Sequence, residues 1–139
     1  MGKINLGRVV IGGIVAGIVI NFGEFLLNGV LLADQWTELM KSIDRPVLDG
    51  THVGYFMALG FVQGIVAVWT YAAIRPRFGE GPMTAIGAAL LTWLTTVVLA
   101  DLVPTVMGVF ELSMVLMMMG VGLIEMTLGT LAGAYLYKE

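Results

Sequence analysis

The chain has no cysteine. That excludes disulfides, thiolate metal sites and cysteine nucleophiles, and leaves the redox compartment unspecified. Charge is scarce as well: Asp, Glu, Lys and Arg make up only 12 % of the 139 residues, with a net charge of −3 and no basic stretch to follow a nucleic acid. The single histidine, His52, stands beside Asp49 at the rim of an apolar run, the ordinary place for an interfacial residue. No P-loop, dinucleotide fingerprint, H-E-x-x-H or G-x-S-x-G is present. No enzyme, no cofactor and no nucleic-acid partner are expected.

What fills the chain is apolar. Hydrophobic residues are 58 % of it and its mean hydropathy is +0.94, more than a soluble domain of this length can hide, so its solvent is lipid. Four runs, at about 9–33, 53–74, 82–103 and 112–137, are separated by Asp34–His52, by Arg75–Gly81 and by the neighbourhood of Asp101 and Pro104. The first run is 25 residues long, which at 1.5 Å each spans about 37 Å. Only helices or closed barrels satisfy their backbone in lipid, and runs this long mean helices. The expected fold is all-α: a single domain over residues 1–139, a four-transmembrane-helix bundle. Lys3 and Arg8 before the first run resemble a signal peptide, but the run is too long, holds Asn21 and Glu24, and precedes no Ala-x-Ala site. It reads as a retained span.

Lys3, Arg8, Arg75, Arg77 and Lys138 fall on one side of such a bundle, and Lys41 and Arg45 on the other. The positive-inside rule then puts both termini in the cytoplasm, with the chain in the inner (plasma) membrane. After the first span, Asp34 can cap a short helix over about 34–44. There Trp36, Leu39, Met40 and Ile43 recur at helical spacing, with Glu38 and Lys41 opposite. An amphipathic helix lying in the interface is expected, anchored by Trp36.

Charge inside the spans is the chemically informative feature. Glu24 lies in the first run and Glu125 in the fourth; a carboxylate at the centre of a membrane helix costs about 2.5–3.5 kcal/mol on insertion scales, so it marks a site or a buried partner. Gly13, Gly17, Asn21, Glu24 and Asn28 are separated by 4, 4, 3 and 4, which places them on one helix face. Asn21, Gln63, Thr92 and Glu125 each fall near the middle of their runs, with Glu24 one turn from Asn21. In a bundle these groups can meet in one polar layer that holds a proton, a cation or a small polar solute. The plainer reading makes Asn21, Gln63 and Thr92 interhelical hydrogen-bonders worth about 0.6 kcal/mol each. An apolar setting favours an uncharged carboxyl, so Glu24 is expected to be neutral or to share a proton with Glu125.

Gly60 with Gly64 and Gly129 with Gly133 form two more small-residue stripes beside Gly13 and Gly17, suited to close helix packing within the chain or between copies. Five of the ten methionines crowd the fourth run. Met114 and Met118 share a face with Glu125, and thioethers can bind Cu(I). Methionine is also a flexible gap-filler of apolar cores, the preferred reading.

The first span running into Phe25-Leu26-Leu27-Asn28-Gly29, then Trp36-Thr37-Glu38-Leu39-Met40, and a third span with Gly87, Leu91, Trp93 and Leu94, resemble in layout a family of small four-helix bacterial membrane proteins whose domain has no assigned function. The resemblance covers most of the chain and implies no catalytic residue. Two functions are expected from the residues themselves. One is a homo-oligomeric carrier or channel, linked to protons or cations through Glu24 and Glu125. The alternative is an accessory subunit that holds a larger membrane complex together through its glycine faces and its interfacial helix.

Overall fold

The computed structural model describes residues 3–138. Five helices follow in order: α1 Leu6–Leu31, α2 Ala33–Ser42, α3 Gly50–Phe78, α4 Pro82–Val106 and α5 Leu112–Leu136. Four of them, all except α2, are long and apolar enough to cross a bilayer, and they make an up-and-down bundle. No strand occurs among the described residues. The chain is a multi-pass membrane protein, and its outward faces are correspondingly apolar: Ile11, Ile18, Phe22, Leu59, Val103 and Leu116 are all exposed. The ends are here called near, where residues 3–5 and Tyr137 lie, and far, where α2 lies.

Helix α1 packs along α3 and α5, while α4 packs on α5 and α3. Glycines set the first two seams. A Cβ on Gly13 would lie 2.6 Å from the Ile65 Cα, and one on Gly17 would lie 2.9 Å from the Phe61 Cα. Toward α5, Gly12 faces Gly133, and a Cβ on Gly129 would lie 2.9 Å from the Ala16 carbonyl oxygen. The α1 glycines therefore serve two neighbours: Gly13 and Gly17 meet α3, and Gly12, beside the expected stripe, meets α5. Val68, Tyr71, Ala88, Ala134 and Tyr137 fill the near-end core. There the Tyr71 and Tyr137 rings meet edge to face at 6.0 Å, and Arg75 lies over the Tyr137 ring and pairs with Glu80.

Helix ends follow local chemistry. Asp49 accepts hydrogen bonds from the Thr51 and His52 amides (2.9 and 3.2 Å), and the His52 ring closes a reciprocal cap on α3. These bonds, the His52 side chain's first, hold the Asp49 carboxyl below its ordinary 3.8. The α3–α4 turn passes through Gly79 and Gly81 at φ 86° and 133°, backbone that only glycine adopts freely.

The second and third spans run longer than their apolar runs. Pro76 and Pro104 lie in final turns that remain helical, so α3 reaches Phe78 and α4 reaches Val106. α2 starts at Ala33, with Asp34 inside its first turn, where it favours the helix dipole without capping. Two stretches wind as π-helix: Phe25–Leu31 at the end of α1 and Leu94–Val98 within α4. Wider i→i+5 turns explain a burial pattern that α-helical periodicity cannot. Leu27 and Leu32 both lie in the core, although residues five apart point about 140° apart on an α-helix.

Candidate functional site

Glu125 is a fully enclosed carboxyl in the middle of α5, only 5 % exposed. Its surroundings follow from a glycine across the seam. Gly23 of α1 has no side chain, and Glu125 fills the space: a Cβ there would come within 2.9 Å of the Glu125 Cβ and 3.0 Å of its Cδ, and would collide with Oε2. That same Oε2 is buried with no donor. The Glu24 carboxyl stands within hydrogen-bonding reach of Glu125. Two carboxyl groups form a hydrogen bond only if one of them carries a proton, because a carboxylate is purely an acceptor.

Glu24 is held from the far side. Asn28, one turn on, donates through Nδ2 to Glu24 Oε2, and the Trp36 indole N–H donates to Asn28 Oδ1 at 2.8 Å. The amide is thereby fixed with its NH2 toward the carboxyl. Trp36 reaches Asn28 because α2 folds back over the end of the bundle, its ring edge-on to Phe110 at 5.7 Å. The half-buried Trp36 indole is thus part of the support of Glu24. The π-helical turns begin immediately after Glu24, and such turns recur at functional sites.

The expected single polar layer is not one cluster. Asn21 turns to α3, donating to the Met57 carbonyl at 3.1 Å and lying against Gly60. Gln63 donates to Thr96 at 2.9 Å, tying α3 to the π-helical part of α4. Thr92 is buried and bonds back to the Ala88 carbonyl at 2.9 Å within its own helix. The structure brings Glu24, Glu125 and Asn28 together, and leaves Asn21, Gln63 and Thr92 in separate bonds. Met114 and Met118 are buried with Leu27, Leu32 and Val115, the packing use of methionine. Among the described residues no three His, Asp or Glu side chains converge closely enough to hold a metal ion.

Gly23, Trp36 as a partner of Asn28, Thr96 and Asp101 were beyond the reach of the sequence reading. Asp101 looked like a span boundary because Pro104 follows it. With α4 helical to Val106, it lies inside that helix and is half-buried. A carboxylate one helical turn before a proline was the available signal.

The arrangement can hold a proton between two carboxyls, in a position where an amide would have satisfied packing alone. No family model, curated protein or solved structure matches the chain.

Proposed function

We propose that this chain is a proton-linked membrane carrier or channel in which Glu24 and Glu125 share the transported or coupling proton. The observation that carries the reading is the enclosed Glu125 carboxyl facing Glu24, with one oxygen that no donor satisfies. A neutral amide would bind the helices without the penalty of a buried acid, so the acid is retained for its proton. Four spans are few for a transport path, and assembly of several copies is part of the proposal. Helix α4 offers the open face, with 17 % of its apolar window buried against 33, 39 and 44 % for the other spans.

The flux experiment uses purified protein in liposomes, with an imposed potassium diffusion potential and an internal pH dye. Glu24→Gln and Glu125→Gln should each lower proton flux at least about tenfold, the ratio that corresponds to ~1.4 kcal/mol in a barrier. Gly23→Ala should do the same with both acids present, because its methyl occupies the space of the Glu125 carboxyl. Wild-type flux in all three variants would remove the carboxyl pair from the mechanism.

In keeping with the small four-helix bacterial proteins that the chain resembles, we place it in a bacterial inner membrane. Lys3, Arg8, Arg75, Arg77 and Lys138 at the near end, against Lys41 and Arg45 at the far end, favour a cytoplasmic near end. The cysteine-free chain makes this easy to check. A cysteine placed at Ser42 should react with an impermeant thiol reagent in intact cells, and one at Gly79 only after the membrane is opened. The reverse pattern would invert the topology.

A further inference from the structure

At the near end a cavity of about 490 Å³ opens between the α3–α4 turn and the end of α5, a size within the range of about 300–1,000 Å³ usual for small-molecule sites. It shares no residue with the carboxyl pair. Tyr71 and Arg75 of α3, Glu80 of the turn, and Tyr135, Tyr137 and Lys138 of the other side line it. Tyr71 and Arg75 stand one helical turn apart on the same face of α3, and the positive-φ glycines on either side of Glu80 turn the chain back over them.

The lining carries donors for an anion. The Arg75 guanidinium is packed 5.5 Å from the centre of the Tyr137 ring, a cation–π contact that fixes its fork. The Tyr71 hydroxyl accepts the Gly81 N–H at 3.3 Å, and the Tyr137 hydroxyl accepts the Asn5 N–H at 3.2 Å. Each therefore keeps its own O–H to give. Arg75 and Lys138 against Glu80 leave one positive charge in excess. The ion pair between Arg75 and Glu80 is lopsided: the arginine side chain is 16 % exposed and the glutamate 76 %. The cation is held by the fold, and the carboxylate can be displaced from it. Around the cavity the bias continues, since Lys3, Arg8 and Arg77 are exposed at the same end and Glu80 is the one acid there among the described residues.

A second, almost wholly apolar cleft of about 130 Å³ adjoins the first and shares Tyr71, Gly81, Ala134 and Tyr135 with it. It runs between α4 and α5, where Pro82, Ala85 and Leu131 line it. Ala85 is three residues inside the start of α4, and Leu131 is five before the end of α5, so the cleft reaches about 4–8 Å toward the middle of the bilayer. A charged cavity at headgroup level that opens into an apolar cleft at chain level has the shape of an amphiphile and not of a free ion. Basic pockets between spans are a recurrent way of holding lipid headgroups.

We infer that this near-end site binds one singly anionic glycerophospholipid, with its phosphodiester on Arg75, Lys138 and the two tyrosine hydroxyls and the first part of an acyl chain in the α4–α5 cleft. The arginine fork suits the two free oxygens of a phosphodiester, and Lys138 adds a point charge at the rim. Glu80 holds Arg75 in place and competes with the phosphate for it. The site is independent of the proton pair, and either can stand without the other.

The full chain in nonionic detergent is titrated with phosphatidylglycerol, with phosphatidylethanolamine of the same chains, and with glycerophosphoglycerol, the first headgroup without its chains. Native mass spectrometry counts what is bound. One phosphatidylglycerol should bind in preference to phosphatidylethanolamine, and an excess of the chainless headgroup should not displace it. Arg75→Gln should weaken binding at least about tenfold, the effect of losing charge-assisted hydrogen bonds. Lys138→Gln, at an exposed position beyond the last helix where folding is not at stake, should weaken it about fivefold. Glu80→Gln should tighten it, because the competing carboxylate is gone. An Arg75–Glu80 pair that serves only to fasten the turn predicts the opposite, with both variants of the pair weakening binding alike. Equal binding of the two lipids with no response to Arg75→Gln or Lys138→Gln, displacement by the chainless headgroup, or weaker binding in Glu80→Gln would each overturn the inference.

Discussion

Replacing Glu125 by methionine should make the protein harder to unfold and abolish its proton-linked activity. The side chain is 5 % exposed, and one carboxyl oxygen has no donor. A buried polar group in that condition destabilises the fold by about 1–3 kcal/mol relative to a satisfied one. Methionine has a similar length, fills the space against Gly23, and needs no hydrogen bond. A gain of about 1–2 kcal/mol is therefore expected from equilibrium unfolding in mixed detergent micelles, together with flux at the liposome background. Opposite signs for stability and activity are the mark of a residue kept for function. A Glu125→Met protein that is both less stable and inactive would make Glu125 a structural group.

The glycine seams carry the second large effect. A Cβ at Gly133 would lie 2.5 Å from the Gly12 carbonyl oxygen and 2.5 Å from Val68 Cγ2, and one at Gly64 would lie 2.5 Å from the Gly17 nitrogen and 2.9 Å from its Cα. At Gly64 these obstacles are backbone, and at Gly133 one of them is, so no change of rotamer relieves them and the helices must part. Overpacking of this kind costs about 1–3 kcal/mol and occasionally more. Gly64→Ala and Gly133→Ala should each lose at least about 2 kcal/mol in the same unfolding assay. Gly120→Ala is the matched control: it lies in the same helix as Gly133 with nothing within 4 Å of the added methyl. Its stability should hold or rise by up to about 1 kcal/mol, since alanine is the better helix former. Equal losses at all three positions would show that the seams have no special role.

How far the sequence reached depends on periodicity. Four spans, the α2 helix and the glycine stripes all follow from runs and spacings of about 3.6 residues, and they were legible. So were the two acids, because a carboxyl in each of two spans stands out against Val, Ile and Leu; that they meet was not legible. The π-helical turns were not legible, since no local residue pattern announces a change to i→i+5 bonding. They alter which residues past Glu24 face inward, as Leu27 and Leu32 show. Spacing also could not divide one α1 stripe between two partners: Gly17 and Asn21 meet α3, whereas Glu24 meets α5. The depth of Asp101 was hidden by Pro104, whose usual helix-ending effect is absorbed in the last turn of α4. Gly23 was visible as a residue, but its use appears only when the opposing helix is placed.

The central claim is that a proton resides between Glu24 and Glu125, and infrared difference spectroscopy of the protein in lipid at neutral pH tests it most directly. Subtracting the Glu24→Gln/Glu125→Gln double variant from the wild type should leave the C=O stretch of an unionised carboxylic acid, shifted by deuterium exchange. Absence of that band, with only ionised-carboxylate signals in the difference, would contradict the account.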